Sequence, residues 1–215
     1  MLEDDFGSSG PGMSAGITPR WEWRCFAPSL SAIAKAAGMP VDAATRESDE
    51  IYILDLAGPV SDVVKIRAGV VEVKHLIETS PDGLELWVPA LKARLPLDRQ
   101  AVLTVFRAWL ASADELSRAS YTVEQLLEDV IASCPALRAV RVHKSRRSFT
   151  FTGCLAELVE IGAGPVRLQS FALEQEDPKR LLAALRELGL DAGGNASYAV
   201  GLKRVLGLSK QGCFD

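Results

Sequence analysis

The chain has 215 residues, of which 48% are hydrophobic and 24% are charged, and its net charge is −4. The length and composition are typical of a globular domain with one sizeable core. The negative charge argues against a protein that coats nucleic acid, although it leaves room for a local basic pocket. No apolar stretch approaches the roughly 20 residues of a membrane span. We therefore expect a soluble protein with no nucleic-acid or membrane partner.

Cysteine and histidine are sparse and lack the spacing of metal ligands. There is no Cys-x-x-Cys pair among Cys25, Cys134, Cys154 and Cys213. This spacing predicts reduced thiols and a cytoplasmic location, and it argues against a zinc site or a disulfide framework. The two histidines, His75 and His143, are too few for a histidine-based metal site or a serine triad, so we expect them to be surface or structural residues.

Residues 1–18 are rich in Gly, Ser and acidic residues, which predicts a flexible leader. The rest of the chain, residues 19–210, is interpreted as a single domain with a helical insert at about 98–134. The alternating residues 20–26, with two tryptophans expected in the core, predict the first strand.

A helix over residues 29–37 and a β-rich segment over 50–56 come next. Residues 63–76 predict a hairpin that turns at Ala68-Gly69 and places Lys65 opposite Glu72. The apolar residues between the charged ones would then share the other face.

Residues 84–89 predict a further strand that Pro89 is expected to end. The middle of the chain, after this strand, is predicted to be helical. In the insert, Val102 and Phe106 belong to one apolar stripe, and Thr122 with Gln125 predicts a capping box that opens another helix.

Strands resume in the last third, and two helices close the domain. The strands are predicted at 139–151, 154–161 and 167–176. Asp177-Pro178 opens a helix that Gly189 closes, and Ser197 caps a last helix running through residue 206. About eight strands with inserted helices predict an α+β fold: an eight-stranded antiparallel β-tunnel, closed or nearly closed, with helices packed outside.

Charge on every second residue is the most informative pattern. Because a strand alternates its faces, each such run lines one face with charge. The runs lie at residues 20–24, 65–67, 72–74, 144–146 and 174–176. The simpler alternative is that each run is a solvated outer face of an open sheet.

Taken together, the runs supply the groups that metal-assisted phosphoryl transfer requires. Arginine and lysine bind phosphate oxygens, and the candidates are Arg24, Lys65, Arg67, Lys74, Lys144 and Arg146. Carboxylate oxygens favour Mg²⁺ or Mn²⁺, and the candidates are Glu22, Glu157 or Glu160, Glu174 and Glu176. No side-chain nucleophile is needed, because a metal-activated water would attack.

From about Arg20 to Leu208 the order of these motifs resembles the CYTH superfamily, or triphosphate tunnel metalloenzymes, which includes CyaB-type adenylate cyclases, thiamine triphosphatases and inorganic triphosphatases. Arg20-Trp-Glu22-Trp-Arg24 stands where that family has a Glu-x-Glu-x-Lys strand. The other matching pieces are Lys65-Ile-Arg67, Glu72-Val-Lys74, Lys144-Ser-Arg146, Cys154-Leu-Ala-Glu157-Leu, Ala172-Leu-Glu174-Gln-Glu176, Leu188-Gly189-Leu190 and Ser197-Tyr198.

The resemblance implies an antiparallel tunnel and a metal-dependent hydrolase of a triphosphate or short polyphosphate, with Mg²⁺ or Mn²⁺ as cofactor. The chain departs from the family pattern at Arg20 and Ala172, where the family usually supplies acid, and at Arg24, where it has lysine. An alternative is therefore a non-catalytic module that binds polyphosphate or another anionic ligand through a degenerate metal site. A third hypothesis gives the helical insert a scaffold role.

Overall fold

The computed structural model describes residues 18–58, 61–107, 109–110 and 116–208. The predicted leader lies almost entirely outside these ranges. The strands are β1 (Arg20–Ala27), β2 (Thr45–Asp55), β3 (Asp62–Arg67), β4 (Val70–Thr79), β5 (Glu85–Arg94), β6 (Leu97–Asp98), β7 (Ser120–Tyr121), β8 (Leu137–Phe151), β9 (Cys154–Ala163) and β10 (Val166–Gln175). The helices are α1 (Ser31–Ala36), α2 (Arg99–Phe106), α3 (Val123–Gln125, followed by a π-helical turn over Leu126–Ile131), α4 (Pro178–Glu187) and α5 (Tyr198–Val205).

Eight of these strands form a closed antiparallel barrel in the order β1-β10-β9-β8-β2-β3-β4-β5. The predicted fold class, an eight-stranded antiparallel tunnel with helices outside, is confirmed. Because the barrel is closed, one face of every strand points into the barrel and the other points outward. Charged residues at every second position of a strand therefore lie together either inside or outside the barrel. No helix in the described ranges has the length and apolarity to cross a bilayer.

The β3–β4 hairpin has the predicted turn and register. Ala68 and Gly69 both adopt positive φ values, 48° and 71°, as a two-residue hairpin turn with the right twist requires. Lys65 pairs with Glu72, and the apolar pairs Val64–Val73 and Ile66–Val71 occupy the opposite face.

The prediction that Pro89 ends its strand is wrong, because β5 continues to Arg94. Pro89 lies opposite Lys74, at the point where the β4–β5 register shifts. At such a bulge the ladder is interrupted, and a residue without an N–H group is tolerated there.

Two apolar clusters cover the outside of the barrel. On one side, Trp21, Trp23 and Phe171 pack with α1 and α4, which confirms the core role expected for both tryptophans. On the other side, the apolar face of the β3–β4 hairpin packs against Val102 of α2 and Leu126 in the turn after α3. Thr122 and Gln125 form the predicted capping box. The helices of the 98–134 segment thus cover the outside of β3 and β4.

The inside of the barrel is divided into two layers. Inward side chains toward one end are charged. Those toward the other end, including Tyr52 and Leu54 of β2, form a third apolar cluster with Tyr198 and Leu202 of α5. Ser197 caps α5 as predicted, by accepting a hydrogen bond from the backbone N–H of Val200. The first part of α5 therefore packs in this apolar layer, whereas Val205 at its C-terminal end is exposed.

Candidate functional site

A cavity of about 190 Å³ lies in the charged layer of the barrel. All six predicted phosphate-binding side chains line it, and so do three of the predicted carboxylates. These residues are Arg24, Lys65, Arg67, Lys74, Lys144, Arg146, Glu22, Glu157 and Glu174. The cations come from four strands, β1, β3, β4 and β8, so they meet only because the barrel closes.

Strand register explains which charges meet. Glu22 of β1 pairs with Glu174 of β10 on one side and with Glu85 of β5 on the other. Further along, Arg24 pairs with Ala172, which pairs with Glu157 of β9. Residues directly opposite in a ladder point to the same face, so this face carries a row of three carboxylates beside an arginine.

Glu50 of β2 is the centre of an ion-pair network, and it lies outside the charged runs that the sequence pattern identifies. Its side chain has no solvent exposure and lies near four of the predicted phosphate-binding cations. The distances from its carboxylate oxygens are 3.0 Å to Lys144 Nζ, and 3.6 Å to Lys65 Nζ, to an Arg67 nitrogen and to an Arg146 nitrogen. Burial alone would raise the pKa of Glu50, but Lys144 and Lys65 lower it to about 2.

Lys144 is buried between this carboxylate and two tyrosines. Its Nζ donates a hydrogen bond to the Tyr52 hydroxyl at 2.6 Å and lies 3.6 Å from the centre of the Tyr198 ring. Burial lowers the pKa of Lys144 to about 7, even though Glu50 favours its charged form. The ammonium group is thus held by one anion and by the faces of aromatic rings.

The network continues through Arg146, which contacts both Glu50 and Glu157, to the predicted metal ligands. Arg24 contacts Glu22 at 2.9 Å and Glu157 at 3.7 Å, and Arg146 contacts Glu157 at 2.8 Å. Lys74 lies 3.6 Å from Glu22. Burial would raise the pKa of Glu22, but Arg24 and Lys74 lower it to about 2.

The remaining predicted carboxylates have different surroundings. Glu174 has no ion-pair partner within 4 Å among the described residues, and burial together with repulsion from Glu22 raises its pKa. Glu176 follows the end of β10 and is half-exposed at the mouth, where it lines an outer cavity of about 320 Å³ with Arg20. Glu160 pairs with Ser145 on the outward face of β9 and contacts Arg147 there, so Glu157 is the inward member of the pair.

The carboxylates have the right chemistry for a hard divalent cation but are not arranged around one. Glu22 repels Glu174 and Glu85 on the two neighbouring strands. Burial, and then repulsion from Glu22, raise the pKa of Glu85 as well. A cation would relieve this repulsion. However, among the described residues no three His, Cys, Asp or Glu side chains are grouped to hold a metal ion. Binding would require Glu22 or Glu157 to rotate away from its arginine.

The sequence pattern predicts no role for Glu50, Glu85 or Tyr52, and Tyr198 is named only as part of the Ser197-Tyr198 piece of the family resemblance. A signal for Glu50 exists, because Ser48, Glu50 and Tyr52 alternate with outward residues on β2 just as the charged runs do. Tyr198 lies on a helix, and strand periodicity carries no information about it.

A larger cavity, of about 1030 Å³, lies on the outer side of the barrel. Its lining includes Asp49 and His143, which pair with each other across β2 and β8. Both side chains are more than half exposed. We regard the smaller inner cavity as the functional site, because it gathers buried charges from many strands.

No protein-family model matches the chain, and the search of curated proteins gave no match. Several solved structures are similar at low identity. One is an adenylyl cyclase candidate from Hippeastrum reported to have a dominant triphosphatase activity, with 17% identity, coverage of 86% of this chain and 96% of that one, and a TM-score of 0.43.

A second is a candidate adenylate cyclase from Bacillus halodurans, with 13% identity, coverage of 87% and 98%, and a TM-score of 0.48. A third is a conserved protein of Pyrococcus furiosus, with 12% identity, coverage of 84% and 98%, and a TM-score of 0.46.

Proposed function

We propose that this protein binds the triphosphate group of a small molecule, or a short polyphosphate, inside the barrel and hydrolyses it with the help of a divalent cation. One observation carries the proposal: six lysine and arginine side chains from four strands line a single cavity. Arginine can bind two phosphate oxygens at once, and lysine acts as a point charge, so this set suits several linked phosphates.

The charge of the cavity supports a cation that enters with the substrate. The six basic side chains are opposed by Glu22, Glu157 and Glu174 in the lining and by Glu50 and Glu72, which ion-pair with them. With every one of these groups counted as charged, the formal excess is one positive charge. A triphosphate carries more negative charge than this excess can neutralise. Mg²⁺ or Mn²⁺ bound to the phosphates would supply the difference, and Glu22, Glu157 and Glu174 would hold it.

In this proposal the basic residues act by position and charge. Arg24, Arg146 and the lysines hold the phosphate chain and stabilise the charge that develops on the leaving phosphate. Ion pairs with Glu50 and Glu157 hold these side chains in place before substrate arrives. The cation would supply further neutralisation and an acidified water as the attacking group.

The second candidate function is binding without catalysis. The specific observation in its favour is that two of the three lining carboxylates, Glu22 and Glu157, already have arginine partners below 3 Å. Ala172 also lies on the inner face next to Glu157 in the ladder, where a further carboxylate would have strengthened a metal site.

A phosphate-release assay distinguishes the hydrolase from the binding module. Its substrates are tripolyphosphate, thiamine triphosphate and ATP, each tested with and without Mg²⁺ or Mn²⁺. The hydrolase proposal expects cation-dependent release from at least one of them. Binding of tripolyphosphate without release under any of these conditions would favour the binding module. No binding of any of the three would contradict both.

A further inference from the structure

The charged cavity ends at an apolar floor within the barrel. Beyond Glu50 on β2, the next inward residues are Tyr52 and Leu54, and beyond Lys144 on β8 they are Val142 and Val140. The inward residues Val159 and Ile161 of β9 and Leu168 of β10 continue this layer. Several strands thus change from charged to apolar side chains at a similar depth.

Helix α5 fills the space inside this layer. Leu202 is fully buried, and the Tyr198 ring stacks on the Tyr52 ring with centroids 5.4 Å apart. Gly201 meets the inward Phe26 ring so closely that a Cβ atom would lie 2.3 Å from it. A helix backbone packed this tightly against an inner side chain leaves no room for a phosphate chain between them.

The opposite end of the cavity is where a ligand can enter. The outer cavity at this end shares Glu22, Lys74, Trp87 and Glu174 with the inner one and adds the exposed Arg20 and Glu176. The lining of the inner cavity stops at Val63, Ser197 and Tyr198 on the floor side. The site therefore has a polar mouth and an apolar floor.

We infer that the barrel is a blind pocket that takes a phosphate chain only by its end. The inference rests on the proposed function and deepens it, because it assigns the terminal phosphates of a linear chain as the recognised group. A chain cannot be threaded through the barrel past α5. A long polyphosphate then offers one binding site per free end, and a phosphate ring offers none.

The test measures how many molecules of the full-length protein bind per chain for two linear polyphosphates, one several times longer than the other. Titration calorimetry and sedimentation give this number. Binding that remains in the Arg146→Ala variant is attachment outside the cavity, and the binding that this substitution removes is called Arg146-dependent. We expect the Arg146-dependent stoichiometry to be the same for both lengths, and we expect cyclic trimetaphosphate to bind at least tenfold more weakly than tripolyphosphate.

An Arg146-dependent stoichiometry that rises in proportion to chain length would overturn the inference and leave the proposed function standing. Trimetaphosphate binding as tight as that of tripolyphosphate would do the same. If tripolyphosphate itself shows no Arg146-dependent binding, the proposed function fails, and the inference fails with it.

Discussion

The carboxylate of Glu50 and the ammonium of Lys144 form a buried ion pair at 3.0 Å, and neither side chain is more than 1% exposed. They come from adjacent strands, β2 and β8. Tyr52 and Tyr198 shield the pair from the floor side, and Lys65, Arg67 and Arg146 surround the carboxylate on the others. Glu50 is thus the anion around which four of the proposed phosphate-binding cations are organised.

Replacing Glu50 with Gln should destabilise the protein strongly, because it leaves Lys144 buried without its anionic partner. Loss of one member of a buried pair typically costs about 3–5 kcal/mol. Urea unfolding measures this change. Glu160→Gln, which removes a carboxylate from an exposed pair with Arg147, should change the free energy of unfolding by less than about 1 kcal/mol. Equal effects would show that the buried network does not stabilise the fold.

Stability should fall as the solution becomes acidic, since Glu22 and Glu50 each have a folded-state pKa of about 2 against an ordinary value of 4.5. A carboxylate whose pKa is lowered by folding stabilises the folded state above its unfolded pKa and loses that contribution as pH falls through its folded pKa. We therefore expect the free energy of unfolding to decrease between pH 4.5 and about 2. Glu50→Gln should show a shallower decrease. An equally steep decrease in that variant would contradict the role assigned to Glu50.

Gly201→Ala should destabilise the packing of α5 on the inner wall, because its Cβ atom would lie 2.3 Å from the Phe26 ring. Overpacking of this kind typically costs about 1–3 kcal/mol. Gly194→Ala is the matched control, since a Cβ atom there has no neighbour within 4 Å. Thermal or urea unfolding of both variants provides the comparison. Unchanged stability in Gly201→Ala would mean that α5 is not held tightly inside the barrel.

Glu174→Gln should abolish cation-stimulated phosphate release and the thermal shift that Mg²⁺ or Mn²⁺ produces. The same change should leave the protein without cation at least as stable as before, because it relieves repulsion from Glu22. Glu160→Gln, which changes an outward carboxylate, should keep the cation response. Loss of the response in both variants would point to general electrostatics instead of a site at Glu174.

The sequence predicts the barrel and most of the charged lining because both follow from local periodicity. Alternation along β3 and β4 places Lys65 opposite Glu72, as the structure has it. Alternation does not say which face is inside, and it cannot show that Glu50 lies among cations from β3 and β8. Those contacts depend on strand pairs far apart in the chain and on barrel closure. The position of Tyr198 depends on α5 returning to the barrel.

Titration calorimetry with tripolyphosphate on Arg146→Ala and Arg147→Ala tests the central claim most directly. These neighbours on β8 carry the same charge, but Arg146 lines the cavity and Arg147 faces outward toward Glu160. A lost hydrogen bond to a charged group costs about 1.5–3 kcal/mol, which is roughly a tenfold or greater loss of affinity. We predict that loss for Arg146→Ala and a change of less than about twofold for Arg147→Ala. Equal weakening by the two substitutions, with both variants folded, would contradict a triphosphate site inside the barrel.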